Sequence, residues 1–470
     1  MGRVNAQSTN VVILGGGPGG YEAALVAAHL GAEVTLVDRD GLGGSAVLTD
    51  CVPSKALIST ADYLRDITVA ADLGIHLRAG SGDLAHGVEA DLAAVNGRIM
   101  SVARAQSRDI LRRVSEVGVR VLPGRGMFRS PTKIAVEDPQ GTTRDLDADV
   151  VLIATGATPR VMDTARPDGV RILTWEQIYR LKEVPERLVV VGSGVTGAEL
   201  AQAYLGLGSE VVLVSSRDRV LPGEDPDAAT VIEDVFRKRG MEVLSRSRMA
   251  EVEATDDGVV VTLEDGREVT GTHALLAVGS IPQTAGLGLE TVGVDVGPGG
   301  HILLDKVSRT SARGIYAAGD CTGVLPLASV AAMQGRVAMA HALGDAVAPL
   351  RLDVVSANIF TNPEIATVGV GAKEVEADQD VEAVMLPLAT NPRAKMLGIT
   401  DGFVKLFAQK GSGAVIGGVV VAPRASELIF PVTLAVQNRL NVDQVASTFT
   451  VYPSLTGSIA EAARRLHATD

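Results

Sequence analysis

The sequence predicts an α/β protein in which two parallel βαβ domains are followed by a C-terminal α+β domain. Two observations predict the βαβ domains. A glycine-rich turn joins an apolar run to a helical pattern after residues 11–14, and the same order recurs after residues 188–191, about 177 positions later. The third observation is a strand-like alternation with glycine-rich turns that begins near residue 351 and gives way to helical patterns after residue 423. A chain of 470 residues is long enough for about three domains.

The composition limits the kinds of protein that this chain can be. A net charge of −13 is unfavourable for binding nucleic acid or an anionic membrane, since both need clustered Lys and Arg. Only two cysteines occur, Cys51 and Cys321, so a secreted disulfide framework is not expected. No apolar run reaches the roughly 18–20 residues of a membrane span, and the polar residues 1–10 lack the apolar segment of a signal peptide. We therefore expect a cytoplasmic protein.

The first βαβ unit carries a glycine pattern that is typical of dinucleotide binding. Gly15, Gly17 and Gly20 follow the first apolar run at G-x-G-x-x-G spacing. In such units the first glycine permits a tight turn, the second lets a pyrophosphate approach the backbone, and the third lets helix and strand pack closely. Asp38 ends the next strand, where a carboxylate can hydrogen-bond a ribose diol. The pattern predicts a Rossmann-like domain with a bound dinucleotide.

The second βαβ unit repeats this pattern. Gly192, Gly194 and Gly197 open a helix that is predicted to run to about residue 207, and a strand is predicted over residues 210–214. A spacing this long does not indicate a solenoid repeat. It indicates two separate nucleotide-binding domains, and two dinucleotides on one chain suggest electron transfer from one to the other.

The end of the last strand in the second unit bears on the choice between NADH and NADPH. NADH-selective sites commonly have an acid there, whereas this chain has Ser215, Ser216 and Arg217. A carboxylate would repel a 2′-phosphate, but small hydroxyls followed by an arginine can accept one through charge-assisted hydrogen bonds. The alternative is a solvated loop, in which arginines are common. We predict that NADPH is accepted as well as NADH.

Residues 43–55, which read Gly-Gly-Ser-Ala-Val-Leu-Thr-Asp-Cys-Val-Pro-Ser-Lys, resemble the redox-active segment of the flavoprotein disulfide reductases. This is the family of dihydrolipoamide dehydrogenase and glutathione reductase, and it places two cysteines five positions apart. Cys51 matches the second cysteine, but Ala46 stands at the position of the first. A disulfide needs two sulfurs about 2 Å apart, so this chain cannot form the redox disulfide of the family.

The resemblance covers nearly the whole chain and implies FAD in the first unit and NADPH or NADH in the second. Residues 151–156 resemble the crossing out of the flavin domain, residues 279–283 resemble the return turn, and residues 314–320 resemble a second flavin signature. In the family, the aspartate matching Asp320 hydrogen-bonds the ribityl chain. The helix that begins within residues 326–329 points at the flavin, where its N-terminus favours negative charge on the reduced ring. The full set of predicted cofactor-binding residues is Gly15, Gly17, Gly20, Asp38, Gly44, Ser45, Cys51, Lys55, Gly126, Thr155, Gly156, Asp320, Leu327, Ala328, Gly192, Gly194, Val195, Gly197, Glu199, Ser215, Ser216, Arg217 and Gly279.

The same resemblance predicts the domain organisation. Residues 1–150 are expected to form the first part of an FAD-binding domain, residues 151–280 an NAD(P)-binding domain, residues 281–350 the return segment of the FAD domain, and residues 351–470 a dimerisation domain. In the family each active site is completed by the other subunit, so we expect a homodimer.

Two pairs of residues carry the catalytic predictions. Lys55 and Glu199 match a lysine beside flavin N5 and the glutamate that pairs with it, and a cation there stabilises the reduced flavin. Tyr452 and Gly457 stand where the family has an acid–base pair of histidine and glutamate. Tyrosine, with an ordinary pKa of about 10, is a poor general base near pH 7. Cys51, which has no partner sulfur, is expected to pack near the flavin and not to act as a redox centre.

These replacements lead to one functional prediction. Ala46, Tyr452 and Gly457 each remove a part needed only for thiol–disulfide exchange, while the parts needed for flavin and nicotinamide binding remain. We predict an NAD(P)H oxidoreductase whose flavin passes electrons directly to a small acceptor, for which a quinone is the best candidate. The alternatives are transhydrogenation between pyridine nucleotides and a non-catalytic role in a dehydrogenase complex, although no Pro/Ala-rich swinging linker occurs. No metal site is predicted.

Overall fold

The computed structural model describes residues 9–70, 74, 75, 88–372, 375 and 379–467. Residues 1–8, on which the expectation of a missing signal peptide depends, lie outside the described residues. The chain divides into two compact units. Unit 1 consists of the described parts of Met1–Ala56, Asn96–Arg160 and Gly279–Leu350, and unit 2 of those of Leu57–Val95, Val161–Val278 and Arg351–Asp470.

The regular elements of the described chain are numbered in chain order. The strands are β1 Asn10–Leu14, β2 Glu33–Asp38, β3 Arg120–Pro123, β4 Arg125–Ser130, β5 Lys133–Glu137, β6 Thr143–Asp147, β7 Val150–Ile153, β8 Ala157–Pro159, β9 Ile172–Thr174, β10 Arg187–Val191, β11 Glu210–Val214, β12 Glu242–Leu244, β13 Met249–Ala254, β14 Val259–Leu263, β15 Glu268–Gly271, β16 His273–Leu276, β17 Ser280–Pro282, β18 Ile315–Ala317, β19 Ser356–Ile359, β20 Glu364–Gly369, β21 Val381–Pro387, β22 Phe403–Gln409 and β23 Val415–Ala422. The α-helices are α1 Pro18–His29, α2 Gly44–Leu48, α3 Cys51–Thr68, α4 Leu92–Glu116, α5 Val195–Gly206, α6 Pro226–Lys238, α7 Ala328–Ala342, α8 Pro392–Met396, α9 Ala425–Asn438, α10 Val442–Ser447 and α11 Gly457–Arg465.

A five-stranded parallel sheet with the order β18-β7-β1-β2-β3 forms the centre of unit 1. Strand β1 is a continuous apolar run because both of its faces are covered. Val11 and Ile13 pack with residues of α1 and α7, and Val12 and Leu14 pack on the side of the antiparallel sheet β4-β5-β6.

Helices α1 and α7 approach each other closely at two glycines. A Cβ placed on Gly335 would lie 2.0 Å from the carbonyl oxygen of Gly19, so a larger residue cannot be accommodated there without moving the backbone. This close packing fixes the two helices that begin beside the carboxyl ends of β1 and β18.

A second parallel sheet, with the order β12-β11-β10-β16-β9, forms the nucleotide-binding half of unit 2. Its predicted strand over residues 210–214 is β11, and its predicted helix is α5, which ends at Gly206. The apolar side chains of β10 and β11 pack with those of the antiparallel sheet β13-β14-β15.

The C-terminal part of unit 2 is an antiparallel sheet with the order β19-β20-β23-β22-β21, and helices α9 to α11 follow its last strand. One apolar core includes residues from the sheet and from α9 and α11. The predicted change from strands to helices after residue 423 is therefore confirmed, since β23 ends at Ala422 and α9 begins at Ala425. Within the described residues, no helix is long and apolar enough to span a membrane.

Candidate active site

The first glycine-rich turn leaves an open space above Gly17. A Cβ on Gly15 would lie 2.2 Å from the Ala154 carbonyl oxygen, and one on Gly20 would lie 1.9 Å from the Gly15 carbonyl oxygen. A Cβ on Gly17 would meet no atom within 4 Å. Two of the glycines thus permit close backbone packing, and the third lines a cradle at the start of α1. Because this helix has no side-chain N-cap, its first N–H groups fit a phosphate-bearing cofactor.

Asp38 holds the loops around this cradle. Its Oδ2 accepts a hydrogen bond from Gly16 N at 2.6 Å, and its Oδ1 accepts from Asp40 N at 2.8 Å and Gly41 N at 2.7 Å. Burial raises the pKa of the Asp38 carboxyl above its usual value, and these three backbone donors oppose the shift. A carboxylate can accept about four hydrogen bonds, so the predicted ribose contact remains compatible with this geometry.

The segment that lacks the first cysteine packs on the same cradle. Gly43 N donates to Gly16 O at 2.8 Å, and a Cβ on Gly44 would lie 2.8 Å from Gly17 Cα. Gly44 begins the short helix α2, which also contains Ser45 and Ala46. Cys51 begins α3, and Lys55 lies one turn later on that helix. The close approach of glycine to glycine places this segment beside the candidate cofactor cradle.

Two segments of unit 1, one around residues 155–156 and the other around residue 283, are joined by hydrogen bonds. Thr155 Oγ1 donates to Gln283 O at 2.7 Å, and Gln283 N donates to Gly156 O at 2.9 Å. Residues 280–282, predicted as part of a turn, instead form β17, which pairs antiparallel with β8. Gly279, with a φ of +96°, precedes this strand, and its carbonyl accepts from Arg160 N.

Asp320 lies at the carboxyl end of β18, before the start of α7. Burial raises the pKa of its carboxyl, and the charge of His301 opposes the shift. Leu327 is the N-cap residue of α7 and makes no side-chain cap, so the N–H groups that begin at Ala328 are available to a ligand. Gly126 lies on β4, where a Cβ would be 2.4 Å from Leu14 Cδ2. The contact of Asp320 and the α7 N-terminus with a flavin stays a prediction.

The glycines of the second glycine-rich turn have the same close backbone contacts as those of the first. A Cβ on Gly192 would lie 2.2 Å from Ala277 O, one on Gly197 would lie 1.8 Å from Gly192 O, and one on Gly194 would meet nothing within 4 Å. Helix α5 starts at the exposed Val195, again without a side-chain cap. Unit 2 therefore contains a second cradle that fits a dinucleotide.

Of the three residues that were predicted to accept a 2′-phosphate, one is buried and two are exposed. Ser215 is fully buried, with its Oγ 2.6 Å from Ser193 Oγ and accepting from Arg217 N at 3.1 Å. This burial argues against a direct contact of Ser215 with a phosphate. Ser216 and Arg217 are exposed, and the guanidinium of Arg217 makes no ion pair with the described part of the chain. Asp218 is paired with Arg246 at 2.7 Å.

Glu199 is buried on α5 and faces a loop of the C-terminal sheet. Its Oε1 accepts from Phe360 N at 2.8 Å. One turn later, Gln202 contacts the backbone of Asn362. Glu199 lies in unit 2 and Lys55 in unit 1, so the pairing of these two residues stays a prediction.

Tyr452 and Gly457 stand at the positions that correspond to the histidine and the glutamate of the family's acid–base pair. The Tyr452 side chain is 83% exposed, and Phe449 and Val451 beside it are also exposed. Gly457 begins α11 and its N–H donates to Ser454 Oγ at 3.2 Å. No carboxylate occupies the position of Gly457, so an acid–base pair of the family type is absent from this position.

Sequence reasoning missed three residues that organise the site. Ser193 binds the Ser215 hydroxyl, Gln334 Oε1 accepts from Gly319 N at 2.8 Å, and Gln202 binds Asn362. The Ser193 contact could have been found by aligning the two glycine motifs, since Ser193 then matches Gly16 and Ser215 matches Asp38. The two glutamines carry no sequence signal, because their partners are distant backbone groups.

Comparison with known proteins gives the same family for both parts of the chain. The model of the pyridine nucleotide-disulphide oxidoreductase family matches residues 9–335, and the model of that family's dimerisation domain matches residues 355–463.

Individual relatives match along the full length. A protein of Mycobacterium tuberculosis (strain CDC 1551 / Oshkosh) named NAD(P)H dehydrogenase (quinone) is 52% identical over 472 residues, which cover 98% of this chain and 94% of that protein. The dihydrolipoyl dehydrogenase of Bacillus subtilis (strain 168) is 33% identical, with coverage of 97% and 96%. The crystal structure of LpdA from Mycobacterium tuberculosis has a TM-score of 0.93 at 52% identity, and the match covers 98% of this chain and 100% of that one.

These matches confirm the predicted fold class and the resemblance that the motifs carried. Proteins of this family use FAD and NAD(P)H, and the two cradles fit these cofactors. The chain is therefore an oxidoreductase that uses FAD and NAD(P)H, and it belongs to the pyridine nucleotide-disulphide oxidoreductase family.

Proposed function

We propose that the protein is an NAD(P)H:quinone oxidoreductase that works without a thiol relay. The observation that carries this proposal is the presence of two intact glycine cradles in a chain with Ala46 at the relay position. The relative from Mycobacterium tuberculosis is named NAD(P)H dehydrogenase (quinone), and this name supports the same acceptor class. In the overall reaction NAD(P)H, a proton and a quinone give NAD(P)⁺ and a hydroquinone.

When bound, FAD accepts a hydride from the nicotinamide and delivers two electrons to the acceptor. The Gly17 cradle would hold the pyrophosphate of FAD, and Asp38 would bind the adenosine ribose. Asp320 and the N-terminus of α7 would face the ribityl chain and the flavin ring. The remaining flavin-side residues that we assign to FAD binding are Gly15, Gly20, Gly44, Ser45, Cys51, Gly126, Thr155, Gly156, Leu327, Ala328 and Gly279.

Two charged residues are assigned to the chemistry. The Lys55 ammonium would stabilise negative charge on the reduced flavin, and the Glu199 carboxylate would pair with that cation and order it. Both side chains belong to helices, which hold charged groups more firmly than loops do.

The nicotinamide dinucleotide is assigned to the second cradle, around Gly194 and Gly197. We propose NADPH as the preferred form, with Ser216 and Arg217 at its 2′-phosphate. The support is their exposure and the pairing of Asp218 with Arg246, which leaves the Arg217 charge uncompensated in the described chain.

We further propose that the protein is a cytoplasmic homodimer assembled through residues 351–470. The match of residues 355–463 to a dimerisation domain supports this assembly. The division into an FAD domain of residues 1–150 and 281–350 and an NAD(P) domain of residues 151–280 belongs to the same proposal.

The proposal is tested by comparing two acceptors on the unmodified, FAD-loaded protein. We expect NADPH-dependent turnover with a small benzoquinone and negligible turnover with lipoamide or glutathione disulfide, because the dithiol and the base are both missing. Ala46→Cys should not create an efficient disulfide reductase, since the base would still be absent. Lipoamide turnover that equals or exceeds quinone turnover would refute the proposal. NADPH-to-NAD⁺ transfer faster than quinone reduction would identify a transhydrogenase instead.

A further inference from the structure

Helix α5, the part of α3 that lies in unit 2 and the end of α6 meet at one short loop between β19 and β20. The loop contains Phe360, Thr361 and Asn362. Glu199 and Gln202, one turn apart on α5, both hydrogen-bond its backbone. Because residues three apart on a helix lie on the same face, α5 presents both side chains to the loop together.

Asn362 makes four hydrogen bonds through its backbone and side chain, and their partners lie on helix α3, on helix α5 and at the end of α6. Its N–H donates to Gln202 Oε1 at 2.8 Å and its carbonyl accepts from Gln202 Nε2 at 3.1 Å. Its Nδ2 donates to Asp62 Oδ1 on α3 at 2.8 Å, and its Oδ1 accepts from Arg239 Nη2, at the end of α6, at 3.3 Å. Asn362 thus ties together the helix that carries Lys55, the helix that carries Glu199, and α6.

The side chain of Gln202 is suited to this contact because an amide is both donor and acceptor. It binds the N–H and the C=O of one residue, as a neighbouring strand would. Gln202 is 9% exposed and Glu199 is 3% exposed. Loss of the Gln202 amide would leave the partly buried N–H and C=O of Asn362 without these partners, which favours a shift of the loop. Any movement of the loop moves Phe360 N, the donor that orients Glu199.

We propose that Gln202 and Asn362 form a clamp that positions the Glu199 carboxylate, and that the rate of hydride transfer from NADPH to the flavin depends on this clamp. The inference rests on the proposed catalytic role of Glu199. Gln202 is a positioning residue that acts through Glu199, without touching either cofactor. Its contribution belongs to the flavin-reduction step and not to the binding of FAD or of the 2′-phosphate.

The test is a double-mutant cycle in the FAD-loaded protein. The limiting rate of flavin reduction by NADPH is measured by stopped flow for the wild type, Gln202→Met, Glu199→Gln and the double variant. We expect Gln202→Met to slow reduction about 10-fold, in the range expected for small misplacements of reacting groups, with an NADPH dissociation constant within about twofold of wild type. In the Glu199→Gln background, Gln202→Met should cause almost no further loss.

Gln177→Met is the matched control, because Gln177 also bonds a backbone N–H in unit 2, that of Thr174 at 3.0 Å, and no hydrogen bond in the described part of the chain joins its side chain to the loop. It should leave the reduction rate unchanged. If Gln202→Met does not retain FAD, Gln202→Glu, which keeps the acceptor for Asn362 N, takes its place in the cycle. An equal slowing in both Glu199 backgrounds would overturn the clamp, as would no slowing at all. A normal rate for Glu199→Gln alone would instead overturn the catalytic role of Glu199, whatever the outcome with quinones.

Discussion

Asp38 and Ser215 occupy matching positions in the two nucleotide-binding units, eighteen residues after the last glycine of each motif. Asp38 binds Gly16 N, whereas Ser215 binds the hydroxyl of Ser193, the residue that matches Gly16. The same loop is therefore closed by a carboxylate in one unit and by a neutral pair of hydroxyls in the other. The neutral pair removes the negative charge that would repel a 2′-phosphate.

Arg217→Glu should separate NADPH from NADH. We expect the dissociation constant for NADPH to rise by roughly 10- to 100-fold, since a hydrogen bond to a charged group contributes about 1.5–3 kcal/mol, while NADH binding changes little because it lacks the phosphate. Titration of flavin fluorescence with each nucleotide would measure this. Arg129→Glu, with the same charge change at an exposed position of unit 1, is the control. Equal losses for both nucleotides would show that Arg217 is structural.

The thiol of Cys321 should be unreactive in the folded protein. Cys321 is fully buried, donates to Ala318 O at 3.3 Å, and has its pKa raised by burial to about 11. A raised pKa means that the reactive thiolate is scarce below that pH, roughly one part in a thousand at pH 8. Native protein treated with iodoacetamide at pH 8 should therefore stay unmodified at Cys321, and unfolded protein should be modified there. Peptide mass spectrometry that finds Cys321 labelled at similar rates in both would contradict this.

At the scale of elements, the glycine motifs contain two different kinds of glycine. Gly20 and Gly197 are needed by the protein itself, because any side chain would strike the carbonyl of the first glycine in the motif. Gly17 and Gly194 face open space, so the protein itself does not require their small size, and we attribute it to the proposed ligands.

Gly17→Ala and Gly20→Ala should therefore fail in different ways. Gly17 has a φ of −66°, which alanine adopts without strain, so Gly17→Ala should fold but purify with little FAD. Gly20→Ala should lower the stability of the FAD-free protein, because its Cβ would lie 1.9 Å from Gly15 O. Absorbance at 450 nm and thermal unfolding of the FAD-free forms distinguish the two effects. If the Gly17→Ala variant keeps its full FAD content, the pyrophosphate of FAD does not lie against Gly17.

A buried ion cluster fixes the start of α6 to the C-terminal sheet. Lys405 Nζ lies 2.8 Å from Asp225, the N-cap residue of α6, and 2.6 Å from Asp227. Lys405→Met would leave the Asp225 carboxylate buried without its cation, which should cost about 3–5 kcal/mol. Lys238→Met, which breaks an exposed pair with Asp401, should cost less than about 1 kcal/mol. Urea unfolding measures both, and equal losses would mean that Lys405 adds no more stability than the exposed Lys238–Asp401 pair.

At the scale of the whole molecule, the C-terminal region exposes a group of large apolar side chains. Phe430, Phe449, Val451 and Tyr452 are all more than 60% exposed within the single chain. Large exposed apolar side chains grouped in one domain are typical of an interface, and a stable dimer of this type buries more than about 2,000 Å². We assign this surface to the proposed homodimer contact.

Phe449→Glu should weaken that dimer, because a carboxylate would have to be buried without a partner. We expect wild type to be dimeric at micromolar concentration by light scattering, and the variant to show a monomer fraction that increases on dilution. Val170→Glu changes an exposed apolar residue of the nucleotide-binding half and should leave the mass unchanged. A monomeric wild type would contradict the assignment.

The sequence by itself determined the two βαβ units, the cradle glycines and the loss of the relay. These follow from local patterns, since apolar runs, glycine spacing and the Ala46 replacement can be read without knowing any distant contact. Strand β11 spans the predicted residues 210–214, and helix α5 ends at Gly206, next to its predicted end near residue 207.

The tertiary structure alone decided which polar side chains are used inside the protein. It showed that the Ser215 hydroxyl hydrogen-bonds Ser193, that Gln202 and Asn362 connect three helices, and that Lys405 neutralises Asp225. These contacts join residues between 22 and 300 positions apart. A sequence pattern contains periodicity and local spacing, but the partner of a buried polar group is fixed by the packing of whole elements, and only the folded chain brings those elements together.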